Sequence, residues 1–186
     1  MRLKLLGPFI LLALVMVPAV VAAEPGKSPS DPIPAGEPGQ ISPYTLRITG
    51  WDDNATNQFR MENPDVVESD LPNASRYIII DVTLTYNGDD IGHGLDVHWS
   101  FIGPENAELS NTHCPTTWQS VVNNAPERAD VFPGGSVHYQ HCAIVPDNAI
   151  PTLQPYVRVN NYERLFLELP QAGKATPESR PTTGSM

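Results

Sequence analysis

Apolar and polar residues alternate with a period of two along several short stretches of the chain, the pattern of half-buried β-strands. The stretch YTLRIT, residues 44–49, places Tyr44, Leu46 and Ile48 on one face. The stretch RYIIIDVTLTYNG, residues 76–88, is apolar on both faces in its first half and alternates in its second, so we expect a central strand. Further strands are predicted in LDVHWSFIG (95–103), SVHYQHCAIVP (136–146), YVRVN (156–160) and YERLFLEL (162–169).

Turn-forming residues separate the predicted strands. Phe132-Pro133-Gly134-Gly135 places Pro at the second position and Gly at the third, as a type II β-turn prefers. Asn160-Asn161 fits a two-residue hairpin between the last two strands. Short strands with turns between them, about seven in number, predict an all-β fold, an antiparallel β-sandwich.

The strand that begins at Leu95 carries the best candidate for the centre of the core. Trp99 shares a face with Val97, whereas His98 lies on the polar face of the same strand. We expect the Trp99 indole to pack between the two sheets, against Ile79 or its neighbours in the central strand.

The N-terminus has the pattern of a secretory signal peptide. Arg2 and Lys4 precede a long apolar run, and small residues follow it up to Ala23. We therefore expect residues 1–23 to be a signal peptide and the exported chain to begin at Glu24. Retention of the run as a membrane anchor is the alternative, although its length is at the lower limit for a bilayer span.

Proline and polar residues dominate the two segments that flank the predicted strands. Residues 24–41 predict a disordered Pro-rich linker, and residues 171–186 predict a disordered tail. Residues 42–170 remain as one domain, which is a usual size for a single hydrophobic core.

The chain is acidic, with a formal net charge of −10 at pH 7. Such a chain is repelled by phosphate backbones and by anionic lipid surfaces. We therefore expect no nucleic-acid partner and, after signal cleavage, no membrane partner. The expected partner is a protein or a cell-envelope component, and the expected location is secreted, outside the cell.

The stretch VHYQHC, residues 137–142, is compatible with a disulfide or with a metal site. Side chains alternate along a strand, so His138 and His141 are expected to point to opposite faces. The only two cysteines of an exported chain normally form a disulfide, which predicts a Cys114–Cys142 bridge. A metal site would have to gather its ligands from both faces of the strand.

No catalytic set can be assembled from the sequence. Ser136 follows a turn but lies in no G-x-S-x-G motif, and no Gly-rich phosphate loop precedes a helix. The acidic run from Asp52 to Asp70 does not have the spacing of a calcium loop, which favours a solvated connection. We therefore expect no enzymatic activity and no cofactor.

Three stretches carry a resemblance to a known family: YIIIDVTLTYNGDD from Tyr77, PGGSVHYQHCAIVP from Pro133 and YERLFLEL from Tyr162. Together they resemble bacterial extracellular domains with a telokin-like immunoglobulin fold, related to the secreted immunogenic proteins of mycobacteria. Ala143 departs from the family pattern, which commonly has a large aromatic residue there. The resemblance implies an immunoglobulin-like β-sandwich and export, and it implies no activity.

Two functions are compatible with these features. The first is a non-enzymatic secreted or cell-surface-associated β-sandwich that binds its partner through loops or an exposed sheet. The alternative is an extracytoplasmic metal-binding protein that uses His113, His138, His141, Cys114 and Cys142. The number of free thiols in the native protein separates the two, because a disulfide leaves no thiolate for a metal.

Overall fold

The structure is a computed structural model that describes residues 24–62, 71–93, 96–110, 114, 130–159 and 163–170. The predicted signal peptide, the predicted C-terminal tail, the Asn160-Asn161 turn and His113 lie outside the described residues. The strands are β1 Gly39–Ile41, β2 Tyr44–Asp52, β3 Ser75–Tyr86, β4 Gly92–His93, β5 Val97–Ile102, β6 Asp130–Val131, β7 Ser136–Pro146, β8 Gln154–Val159 and β9 Glu163–Phe166. The helical segments are α1 Thr56–Glu62 and two 3-10 turns, Pro104–Asn106 and Asp147–Thr152.

Two antiparallel sheets form the body of the protein. One has four strands in the order β1-β2-β3-β7, the other has three in the order β5-β8-β9, and β4 pairs with β6 beside them. Strand β3 lies between β2 and β7, as its apolar character on both faces predicts. The predicted all-β sandwich is confirmed, because Ile78 and Ile80 of β3 share one buried core with Phe101 of β5 and Val157 of β8.

Trp99 joins the two sheets at the centre of this core. The residue is 4% exposed, and its indole Nε1 donates a hydrogen bond to the hydroxyl of Tyr139 on β7 at 3.3 Å. Its ring stacks on the imidazole of His141, with 4.9 Å between ring centroids. Ile79 is not the neighbour of Trp99, because alternation along β3 turns Ile79 to the outer face of the sheet.

The turn before β7 has the predicted geometry. Gly134 has a φ of 74°, which the third position of a type II turn requires and glycine adopts without strain. The amide of Gly135 closes the turn by donating to the carbonyl oxygen of Phe132 at 2.8 Å. The turn therefore fixes where β7 begins and which of its side chains enter the core.

The prediction of a disordered linker over residues 24–41 is wrong. Ile33 is 9% exposed, its amide donates to the carbonyl oxygen of Phe166 at 2.9 Å, and its carbonyl accepts from Glu168 at 2.9 Å. A Cβ atom at Gly26 or Gly39 would lie 2.8 Å from the Ile33 side chain, so two glycines enclose this one apolar residue. Composition does not predict this packing, because one isoleucine and two closely approaching glycines are enough to hold a proline-rich segment against β9.

The acidic run after β2 also contains packed structure. Helix α1 lies on the outer face of the four-stranded sheet, where Phe59 is fully buried and contacts the ring of Tyr77, with 4.5 Å between centroids. Met61 on the same helix is 80% exposed. Within the described residues, no helix has the length and apolar character needed to cross a membrane.

Candidate functional site

The predicted disulfide between Cys114 and Cys142 is present, with 5.8 Å between the Cα atoms. Cys142 lies on the outer face of the four-stranded sheet, in a small apolar cluster with Tyr77, Ile79 and Phe59. The bridge thus fastens a distant part of the chain to β7, next to helix α1.

The histidines of the VHYQHC stretch point to opposite faces of β7, as alternation predicts. The Nδ1 atom of His138 shares a hydrogen bond with the hydroxyl of Thr83 at 2.8 Å on the exposed outer face. His141 stacks on Trp99 on the core side. Within the described part of the chain, no group of three His, Cys, Asp or Glu side chains is arranged to hold a metal ion.

A groove lies on the outer face of the three-stranded sheet. Its floor is a small apolar cluster of Ile102, Tyr156 and Phe166, which come from β5, β8 and β9. Strand register brings the last two together, because Tyr156 is the direct partner of Phe166, and their ring centroids are 5.3 Å apart. The groove has a volume of about 610 Å³, within the range typical of small-molecule sites.

Polar side chains from separate parts of the chain form the rim of the groove. Lys27, in the N-terminal segment, forms an ion pair with Glu163 of β9 at 3.1 Å. Asn106 and Glu108, which follow β5, line the opposite side. Asn106 has a left-handed backbone with a φ of 57°, a conformation that asparagine adopts more readily than most other non-glycine residues.

Two arginines lie near the floor: Arg164 lines the groove, and Arg158 lies next to it, where its Nη2 atom donates a hydrogen bond to the Ser100 hydroxyl at 3.4 Å. Arg158 of β8 and Arg164 of β9 are direct cross-strand partners, and His98 of β5 is the partner of Arg158 on the other side. The guanidinium carbon of Arg158 lies 6.0 Å from the ring centroid of Tyr156, and that of Arg164 lies 5.6 Å from it. We call Arg158 and Arg164 the arginine pair.

The Tyr156 hydroxyl is a buried polar group at this site. The residue is 2% exposed, and its oxygen makes no hydrogen bond of normal length and angle with the described residues. Burial raises the pKa of Tyr156, the nearby Glu108 carboxylate raises it further, and Ser100 opposes the shift. The Nε atom of Arg158 is likewise buried without such a bond. Two buried polar atoms therefore lie under or beside the groove, and Ser100 and Glu108 are the polar neighbours of the Tyr156 hydroxyl.

A second polar cluster at one end of the sandwich has a structural role. The Tyr44 hydroxyl donates to Asp96 at 2.6 Å and accepts from the amide of His93 at 3.0 Å, which links β2 to β4 and to Asp96. Burial and then the hydrogen bond to Asp96 raise the pKa of Tyr44. The carboxylate of Asp130 contacts the Nδ1 atom of His93 at 2.9 Å. The polar side chains at this end of the sandwich therefore interact with one another.

Sequence reasoning missed the groove because its walls come from three distant segments. The sequence does place an arginine, Arg158 or Arg164, at a polar position in each of two predicted strands, and this was the one sequence feature that pointed to the site. Only the strand register shows that the two are direct partners and that Tyr156 lies beside both.

No family model and no curated protein matches the chain. Among solved structures, an uncharacterized β-sandwich protein from Clostridium difficile is 9% identical and has a TM-score of 0.45, over 79% of this chain and 100% of its own. A conserved hypothetical protein from Bacillus anthracis is 8% identical and has a TM-score of 0.42, over 73% of this chain and 95% of its own. Likenesses of this degree carry no conclusion about family or function, and the resemblance to telokin-like domains stays a prediction.

Proposed function

We propose that the protein is a non-enzymatic binding module, secreted or associated with the cell surface, that holds a protein or cell-envelope component in the groove of the three-stranded sheet. The observation that carries this proposal is the groove itself. It combines an apolar floor with a charged rim. Binding sites typically combine apolar walls with a few convergent polar groups.

The composition of the groove supports binding over catalysis. The described residues that line it include one serine, Ser28, and no histidine or cysteine. Nucleophilic catalysis needs a nucleophile within hydrogen-bond reach of a base; the hydroxyl of Ser28 instead contacts that of Ser30 at 3.0 Å. The side chains on the rim can bind and orient a partner.

The disulfide supports the proposed location. Disulfides persist in oxidising compartments outside the cytosol, and the Cys114–Cys142 bridge is consistent with export of a chain that begins with a signal-like segment. The same bridge argues against the metal-binding alternative. It engages both sulfurs, and His138 and His141 face opposite sides of β7.

Site-specific photo-cross-linking tests the proposal. A photoreactive amino acid replaces Glu108, an exposed residue on the rim, in one variant, and Met61 on helix α1 in the control. Each protein is incubated with the cell-envelope fraction and the culture medium of its source and then irradiated. We expect a discrete product at Glu108 that excess unlabelled protein suppresses, and none at Met61. Equal products at both positions, or none at either, would contradict the proposal.

A further inference from the structure

The arginine pair places like charges together without a carboxylate partner among the described residues. Arg158 and Arg164 are direct partners on neighbouring strands, and like charges directly opposite each other destabilise a sheet. Within the described residues, neither arginine forms an ion pair, although the chain as a whole carries a formal net charge of −10. The arrangement is therefore unfavourable for folding and favourable for an anion that bridges the two side chains.

We propose that the groove binds an acidic saccharide, whose phosphate or carboxylate group contacts Arg158 and Arg164 while its sugar rings lie along the groove. This inference rests on the proposed function and specifies the chemistry of the ligand. A guanidinium is a planar fork of donors that matches the oxygens of a carboxylate or phosphate. The Tyr156 ring lies near both guanidiniums, at distances where a cation–π interaction restrains them.

The size of the groove argues for a ligand larger than a free ion. A volume of about 610 Å³ is in the range that encloses a drug-sized molecule. The Ile102 and Phe166 side chains give the floor an apolar surface for the carbon face of a sugar ring. The ligand thus has an acidic group at the arginines and an uncharged body beyond them.

The mixture of donors and acceptors on the rim favours a saccharide over an acidic peptide. Lys27, although paired with Glu163, has further N–H donors, Asn106 offers both a donor and an acceptor, and Glu108 offers acceptors. Sugar hydroxyls both donate and accept, so one ligand can use all three side chains. A strongly acidic peptide would bring a second carboxylate towards Glu108, where like charges repel.

Titration of four probes into the exported chain tests this inference. A glucose tetramer that ends in one glucuronate represents carboxylate saccharides, a glucose tetramer that bears one 6-phosphate represents phosphate-bearing ones, and a neutral glucose tetramer and a tetraglutamate peptide are the comparisons. The Arg164→Gln variant removes one guanidinium. The Arg60→Gln variant is the matched control, because Arg60 is exposed on helix α1, away from the groove, and its hydrogen bond within the described part of the chain is to the nearby Asn57.

We expect at least one of the two acidic saccharides to bind. The one that binds more tightly shows whether the ligand carries a carboxylate or a phosphate. Loss of Arg164 should weaken that binding about tenfold or more, whereas Arg60→Gln should change it less than twofold. Thermal stability of Arg164→Gln should be equal to or higher than that of the unaltered chain, because the variant relieves a like-charge contact. A structural role for Arg164 would instead lower it.

Several outcomes would overturn the inference. They are failure of both acidic saccharides to bind, equal binding by Arg164→Gln, and binding of the neutral tetramer or of tetraglutamate as tight as that of the acidic saccharides. The proposed function is tested separately, since a cross-linked partner at Glu108 with no saccharide binding would retain the groove and exclude only this ligand chemistry. Failure of both experiments would reject the groove as a binding site.

Discussion

Removal of the Cys114–Cys142 bridge is expected to lower the free energy of unfolding by at least about 3.6 kcal/mol. The two cysteines are separated by 28 positions in the sequence. The chain-entropy relation for a loop of that length gives an entropy loss of about 12 cal/mol/K in the unfolded state, or about 3.6 kcal/mol at 298 K. Cys142 is also 8% exposed, so its replacement removes a buried sulfur from the cluster with Phe59 and adds to the loss.

The measurement is guanidinium denaturation of the oxidised protein beside the Cys114→Ala/Cys142→Ala double variant. Native mass spectrometry and thiol counting confirm that the first has no free thiol. A stability difference below about 1 kcal/mol would refute the reasoning, because the bridge would then constrain little of the unfolded chain. Added zinc or copper should leave the melting temperature of the oxidised protein unchanged, since only a ligand of the folded state stabilises it.

Three further predictions concern the core, the tyrosine cluster and the N-terminal segment. Trp99→Ala should cost about 3 to 5 kcal/mol in denaturant titration, as loss of a buried aromatic side chain does, whereas His98→Ala should change stability by less than about 0.5 kcal/mol as an exposed substitution. The pKa of Tyr44 in the folded protein is raised above its ordinary value of 10.0, so the hydroxyl contributes fully to stability at pH values below 10.0. Above pH 10.0 the hydroxyl loses its proton in the unfolded chain but keeps it in the folded protein, so the free energy of unfolding should fall as the pH rises. The fall should be less steep in Tyr44→Phe. Limited proteolysis should leave a core that retains Ile33, and a product that begins at residue 42 would contradict the packing of that segment.

The sandwich could be predicted from the sequence where strands bury one face. The alternation around Trp99 and along β7 predicts which side chains enter the core, and Trp99, Tyr139 and His141 lie together as that pattern requires. The type II turn at Gly134 was predictable because few residues other than glycine adopt its backbone. These features depend on local periodicity and turn chemistry.

Features that depend on long-range register could not be predicted. Ile33 packs against the sheet although its neighbours are prolines and polar residues. The average composition of the segment does not show that this one residue is buried. The approach of Arg158 and Arg164 to Tyr156 requires knowledge of how β8 pairs with β9. The groove can therefore be identified only when the pairing and register of the strands are known.

The most direct test of the binding proposal is to fill the groove and measure binding to the cell-envelope fraction. Ser28 lines the groove, so Ser28→Trp introduces a large ring into it. The control is Ser136→Trp, which adds the same ring at an exposed position on the other sheet. With thermal melting showing that both variants are folded, we expect Ser28→Trp to weaken binding about tenfold or more and Ser136→Trp to weaken it less than twofold. Equal affinities for the unaltered chain and Ser28→Trp would contradict the proposal that the groove holds the partner.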